Sequence, residues 1–458
     1  MFRSPPLSTI KIYLAISAHS FVMGVPGLFD ALKTISTQKS FPELGGLKLG
    51  VDGYGWLHRA TFSCAGELLQ GSPTVKYLNF FERRVELMAS CGIELFFVFD
   101  GNNLPIKARI NASRAEARQK ASERLNTTSS QSSAKQALDI TFEMAANVCA
   151  YLAARGISYV VAPFEADAQL VYMESQGIID GIISEDSDLA VFGARKLYTK
   201  MKDTTLVEVD LTRLSEVPMF TRCFELAALR AIAILSGCDY SSGVHGIGIS
   251  KAAALISQLG TLENALSRLG VKVPVDFPEQ ATQANICFQY QRVWDIEKTC
   301  IATLNDMGTA SFSDSIIGAA THSLHMARGK ADPFTGKLIA LSPAITSFVS
   351  RLSRLHVKAK KQTRDLKAVR LLQSPGVKTP SPFFKLPTAS VARPPSVACP
   401  ITCDAVIANK ENFGLISNTQ ASGCMKRPRE PLEPLNPNGK LMKNGSLDLS
   451  RFRYSLNQ

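Results

Sequence analysis

The chain has 458 residues, 45% of them hydrophobic and 20% charged, with a formal net charge of +12. That length suits two or three domains around a large buried core, and no apolar run approaches the roughly 18 residues of a membrane span, so a soluble protein with no membrane partner is expected. The charge is uneven: residues 344–458 hold 19 Lys and Arg against 6 Asp and Glu, while residues 1–343 hold 32 against 33, so nucleic acid bound by the first part must be held by local patches and metal ions instead of a global field.

Residues 1–22 contain no acid, two bases (Arg3 and Lys11) and a short apolar run from Ile12 to Ala18. Four short apolar segments then read as strands: LKLGVD (47–52), IELFFVFD (93–100), ISYVVAP (157–163) and DGIISED (180–186). Continuous apolar runs of this length suit strands covered on both faces, and helical segments such as 76–90 and 138–155 lie between them. The alternation predicts a doubly wound, mainly parallel sheet. Three strands end on an acid, and ligands of such sheets bind at the carboxyl ends of strands, so Asp52, Asp100 and Asp186 are expected to converge.

Lys107, Arg109, Arg114, Arg118, Lys120 and Arg124 stand at mostly helical spacing shortly after Asp100, followed by the polar run 127–133. The segment reads as a basic helix and a flexible loop inserted between sheet elements; it is either an ordinary solvated face or a phosphate-gripping one. Glu165 with Asp167, and Asp186 with Asp188, are carboxylates two residues apart. Any one of them could be a helix cap or a loop residue. As a set with Asp52, Asp100 and Asp239 they concentrate negative charge that divalent cations would neutralise, and hard carboxylate oxygens favour Mg²⁺ or Mn²⁺. No Ser/His/Asp or Cys/His set supports covalent catalysis. Past Asp239, the run Gly246 to Ala252 opens a helix. Its glycines make either a tight turn or a close backbone approach to phosphate at a helix N-terminus.

From about residue 345 strings of Pro, Ser, Thr, Asn and Lys with few aromatics read as disordered, and eight bases within 351–370 could form a helix on an acidic partner. Lys426, Arg427, Pro428 and Arg429, with Lys358 to Lys361, point to nuclear import and weak non-specific DNA affinity. The ten cysteines have no paired spacing, and reduced thiols are expected.

Six stretches resemble, in order, the motifs of the flap endonuclease/XPG nucleases: MGVPGLFDAL (23–32), VDGYGWLHRA (51–60), FVFDGNNLPIK (97–107), APFEADAQLVY (162–172), ISEDSDLAVFG (183–193) and LSGCDYSSGVHGIGISKA (235–252). Residues 53–74, CFQYQRVWD (287–295) and HMARGKADPFTG (325–336) are similar to the exonuclease-1 branch of that family. No sliding-clamp box is found, because Phe383 and Phe384 lack the spaced Gln. The resemblance implies that Asp52, Asp100, Glu165, Asp167, Asp186, Asp188 and Asp239 hold two Mg²⁺, with Mn²⁺ able to substitute. It implies that Lys107 and Arg114 hold the scissile phosphate at the foot of a helical arch. It places Gly24, Tyr54, His58 and Arg118 against DNA, and Gly246, Gly248, Ser250 and Lys251 in a helix–two-turn–helix that grips the duplex backbone, with K⁺ bound there. Two departures stand out: the arch is short, and Ala115 and Ala117 stand where more Arg is usual. Family members begin at the position of Met23, so translation from Met23 is expected, with a mitochondrial presequence, or a retained segment or signal peptide, as the alternatives.

The resulting expectation is an α/β fold with a doubly wound, mainly parallel sheet, a helical arch, a helix–two-turn–helix and a disordered C-terminal tail. The extension 1–22 lies outside the fold. The nuclease domain spans 23–345, with an N-terminal part (23–125), the arch (104–140), an internal part (150–275) and a wrapping extension (276–345). A basic tail covers 346–458. The activity implied is a monomeric, nuclear 5′→3′ exodeoxyribonuclease with 5′-flap endonuclease activity. It would act on ends, nicks, gaps and flaps in DNA repair and recombination, and its tail would meet mismatch-repair proteins. The alternatives are a mainly flap-directed endonuclease and a non-catalytic scaffold that binds DNA ends.

Overall fold

The structure, a computed structural model, describes residues 24–72, 74–127, 134, 136–270 and 273–352. The expectations for residues 1–22, for the polar run beyond Thr127 and for the tail beyond residue 352 lie outside the described residues.

Seven strands form one mixed sheet: β1 (Ser36–Ser40), β2 (Lys48–Asp52), β3 (Glu94–Phe99), β4 (Ser158–Val161), β5 (Gly181–Ile183), β6 (Lys196–Lys202) and β7 (Thr205–Asp210), in the order β1-β7-β6-β5-β2-β3-β4. The run β6-β5-β2-β3-β4 is parallel throughout, while β6–β7 and β1–β7 are antiparallel. The four strands read from the sequence are therefore the contiguous parallel run β5-β2-β3-β4, which ends at the β4 edge, and each is shorter than expected. The antiparallel edge was not anticipated. Its strands mix polar and apolar residues, as in KLYTKMK, where Leu197, Tyr198 and Thr199 are buried in succession and Lys200 and Lys202 are exposed.

Alternation along β3 assigns its side chains to two cores. Phe96 and Val98 face one, Leu95, Phe97 and Phe99 the other, and all five are buried. Phe97 is fully buried, worth about 2–3 kcal/mol by its area alone. Helices cover both faces. On the Phe97 side lie α1 (Gly53–Thr61), α2 (Lys76–Ser90) and α4 (Phe142–Arg155). On the other lie α5 (Ala166–Ser175), the short α6 (Asp188–Phe192) and α7 (Leu226–Ser236). Helix α4 starts later than the expected 138, because the Thr141 side chain accepts the Met144 amide as its N-cap, and left-handed Gly156 ends it. Between α2 and α4 the 20-residue α3 (Ala108–Thr127) follows a 3₁₀ turn, Pro105–Lys107. Its polar composition buries little, and among its described side chains Ala121 alone is buried.

Beyond α7 come α8 (Ile249–Leu259) and α9 (Phe277–Tyr290), then the hairpin β8 (Arg292–Asp295) and β9 (Cys300–Thr303). Buried Gln169 of α5 bonds both ways to Trp294, accepting its amide at 2.6 Å and donating to its carbonyl at 2.9 Å. Residues 343–352 are helical, and Ile345, Phe348 and Leu352 are buried in the core on the Phe97 side. The expected boundary at 345/346 is thus corrected: the packed chain runs at least to Leu352, since three apolar residues at helical spacing outweigh the basic composition that begins there. All seven cysteines among the described residues are free thiols. Among the described residues no helix is long and apolar enough to cross a membrane.

Candidate active site

The acids converge because four adjacent parallel strands end side by side. Asp52 is the last residue of β2 and caps α1, accepting the Gly55 amide at 2.9 Å. Asp100 follows β3 and accepts the Ala166 amide at 2.6 Å, so it caps α5 from a neighbouring strand. Glu165 and Asp167 open α5 after β4. Asp186 and Asp188 follow β5 in a loop tied to β2: the Ser184 hydroxyl donates to Asp52 at 3.1 Å and accepts the Asp186 amide at 3.1 Å, and the Asp188 amide donates to Asp186 at 2.9 Å. Asp239 enters from the loop after α7.

Electrostatics separate these groups. Burial, then the charge of Asp52, pushes Asp100 up to about 7. Burial raises Asp186 to about 6, and burial followed by Asp186 lifts both Asp167 and Asp188 well above the carboxylate range. Asp52 is raised by burial as well. Asp239 goes the other way: burial opposes its charge, but Lys107 and Arg114 outweigh burial and hold it low. Lys107, itself buried, has its ammonium ion-paired with Glu165 and 3.0 Å from Asp239, while Arg114 reaches Asp239 at 2.8 Å. These two side chains are the cations that hold Glu165 and Asp239. Among the described residues no three of the carboxylates are drawn onto one point as they stand. Asp188 is 1% exposed, and neither of its oxygens has a hydrogen-bond partner. An ionised carboxylate left so costs several kcal/mol, on the order of what a cation must offset.

Two family models match the chain, the XPG N-terminal domain over residues 23–121 and the XPG I-region over residues 156–239. Exodeoxyribonuclease 1 of Saccharomyces cerevisiae is 38% identical over 302 residues, 62% of this chain and 43% of that protein. DNA damage-inducible protein DIN7 of the same yeast is 37% identical over 302 residues, 63% of this chain and 70% of that protein. The chain belongs to the flap endonuclease/XPG family. A third relative in the family, exodeoxyribonuclease 1 of Schizosaccharomyces pombe, is 34% identical over 333 residues, covering 68% of this chain and 58% of that protein. The chain thus spans 43% and 58% of the lengths of the two exodeoxyribonucleases.

The remaining positions singled out from the family resemblance fall around this centre. Gly24 has φ of +79°, and a Cβ there would lie 2.5 Å from the Ser187 hydroxyl and 2.8 Å from the Asp188 amide, so only glycine fits against the acidic loop. Tyr54 and His58 lie on α1, which Asp52 caps; the Tyr54 ring is half-buried, edge-on to Phe99, and His58 is exposed. Arg118 sits one turn beyond Arg114 and pairs with Asp139 at 3.4 Å. Gly246 and Gly248 are exposed ahead of α8, with Ser250 and Lys251 exposed on its first turn; Lys251 bonds back to the Gly246 carbonyl at 2.9 Å.

Three supporting residues escaped the motif reading. Ser184 bridges Asp52 and Asp186, as described. Glu185 accepts from Arg59 at 2.6 Å, the Thr199 hydroxyl at 2.8 Å and the Lys200 amide at 2.9 Å, anchoring the acidic loop to β6. Tyr240 donates its hydroxyl to Glu165. Each lies within two residues of a site acid in sequence, but only the fold shows which partners it meets.

Proposed function

We propose that the chain is a divalent-metal-dependent deoxyribonuclease that degrades duplex DNA 5′→3′ from ends, nicks and gaps and also cleaves 5′ flaps. The observation that carries this reading is the buried Asp188 carboxylate, whose oxygens have no hydrogen-bond partner and which neighbours Asp186 at the carboxyl end of the parallel sheet. Its surroundings are hard oxygen donors that repel one another, a set that suits Mg²⁺, with Mn²⁺ able to replace it. Asp52, Asp100, Glu165, Asp167, Asp186, Asp188 and Asp239 would hold two ions, and such ions supply an activated water and neutralise charge at a scissile phosphate.

The chain's own residues do the remaining work. Lys107 and Arg114, at the foot of α3, offer charged donors to non-bridging phosphate oxygens and stabilise the extra negative charge of the transition state. Arg118 extends that cationic face along α3. Gly24, Tyr54 and His58 border the acids where the end of the DNA would lie. The amides opening α8, near Gly246, Gly248, Ser250 and Lys251, meet the duplex backbone without reading bases, and this turn would be the place to hold a K⁺. Hydrolysis breaks the P–O3′ bond and leaves a 5′-phosphate and a 3′-hydroxyl. The nuclease domain begins near residue 23 and extends through Leu352. The basic tail serves nuclear import and contacts with mismatch-repair proteins, and the enzyme acts as a monomer in DNA repair.

Matched oligonucleotides carrying a recessed 5′ end, a nick, a gap or a 5′ flap test the reading. Mg²⁺-dependent shortening from the 5′ side is expected on the first three, with flap cleavage alongside. DNA binding on all four substrates without cleavage in Mg²⁺ or Mn²⁺ would make the chain a scaffold instead.

A further inference from the structure

Tyr240 lies one residue past the XPG I-region match, and it joins the two halves of the site. Its hydroxyl bonds to Glu165, and its ring lies beneath Lys107, with the ammonium 4.6 Å from the ring centroid. An ammonium over an aromatic face is attracted to the ring's negative charge density, most strongly where water is excluded, and both groups here are buried. One side chain therefore meets a carboxylate proposed to hold metal and the lysine proposed to hold phosphate.

Tyr240 is fixed in turn by α6, α9 and the residue that follows α9. Phe288 packs edge-on against its ring at 4.7 Å and Phe192 does so at 6.0 Å. Gln291, fully buried, places its side-chain oxygen 3.4 Å from the Tyr240 hydroxyl, while its Nε2 has no partner. A half-turn of that amide exchanges its two ends. The amide N–H then donates to the Tyr240 oxygen, which keeps its own proton for Glu165, and the amide oxygen takes the place that has no partner. The chain of bonds runs Gln291 to Tyr240 to Glu165, from beyond the region of the family models into the acidic cluster.

We infer that Tyr240 is a positioning residue: its hydroxyl sets the Glu165 carboxylate, its ring seats the Lys107 ammonium, and Gln291 holds the hydroxyl. This rests on the nuclease reading above. Two substitutions separate the two roles. Tyr240→Phe keeps the ring and removes the hydroxyl; Tyr240→Leu removes both. Outer partners of metal ligands typically change affinity by about 10-fold or more. Direct Mn²⁺ binding to the full chain, followed by electron paramagnetic resonance, should therefore weaken by about 10-fold in Tyr240→Phe, with DNA affinity and melting temperature near wild type. Tyr240→Leu should lose a further 10-fold or so in single-turnover cleavage at saturating metal, because Lys107 loses its seat. Gln291→Leu should reproduce part of the Mn²⁺ defect and add little to it when combined with Tyr240→Phe. Wild-type Mn²⁺ affinity in Tyr240→Phe overturns the inference, as does a melting-temperature loss that alone accounts for the defect. Asp188→Ala, run in parallel, separates the two claims. If the wild type does not cleave in Mg²⁺ the nuclease reading fails, and if Asp188→Ala cleaves as well as wild type the metal assignment fails; if Asp188→Ala is inactive while Tyr240→Phe behaves as wild type, the positioning role alone fails.

Discussion

Replacing Asp100 by Asn should make the metal-free protein more stable at neutral and alkaline pH while removing its activity. The change preserves size and the acceptor for the Ala166 amide but deletes a buried charge. Burial and Asp52 lift the Asp100 carboxyl from 3.8 to about 7. A folded-state pKa above the unfolded one means that the native chain binds the extra proton. Stability is therefore highest below about 4, falls as pH rises towards about 7, and carries the whole penalty above that. At about 1.4 kcal/mol per pH unit the gap corresponds to about 4 kcal/mol at pH 8, and sharing of the repulsion with Asp52 leaves about 2–4 kcal/mol to be recovered. Asp167, Asp186 and Asp188 are raised in the same sense and steepen the trend. Urea unfolding in EDTA at pH 5, 7 and 8 measures this. The wild type should lose stability over the series, and Asp100→Asn should be flatter and more stable at pH 8. Mg²⁺ should raise the wild-type midpoint more than that of the variant, because a ligand stabilises the state that binds it. A variant that is less stable than wild type at pH 8 in EDTA, or a wild type that gains stability from pH 5 to 8, would refute the electrostatic reasoning.

Asp188→Ala should lower kcat by at least about 10²-fold in single-turnover cleavage, with DNA affinity by filter binding unchanged, since phosphate contacts come from other residues. Gly24→Ala places a Cβ against the Asp186–Asp188 loop at a left-handed φ, and should cost about 1–3 kcal/mol in urea unfolding together with most of the cleavage rate. Phe348→Ala empties a buried position in the core on the Phe97 side and should destabilise by about 3–5 kcal/mol, while a chain ended after residue 345 should melt earlier than one ended after residue 352.

Four of the five parallel strands were legible because β5, β2, β3 and β4 are covered on both faces and so read as short apolar runs. The acids at their ends were legible for the same reason, since a strand that stops on Asp52 or just before Asp100 points to the edge where parallel strands terminate together. Strands β1, β6 and β7 were not, because Lys, Thr, Ser and Glu are interspersed with their apolar residues. Composition also misplaced the end of the packed chain: the bases that begin at Arg351 hid the spacing of Ile345, Phe348 and Leu352. The Lys107–Asp239 and Tyr240–Glu165 contacts join residues far apart in the chain, and no local pattern announces such pairs.

The central claim is that the acidic cluster acts with divalent metal to hydrolyse DNA from a 5′ end. A nicked duplex labelled on the strand downstream of the nick, digested in Mg²⁺ and in EDTA, tests it most directly. Progressive loss from the 5′ side in Mg²⁺ is expected, with none in EDTA and none from Asp188→Ala in either. Equal digestion with and without metal, or digestion by Asp188→Ala at the wild-type rate, would contradict the claim.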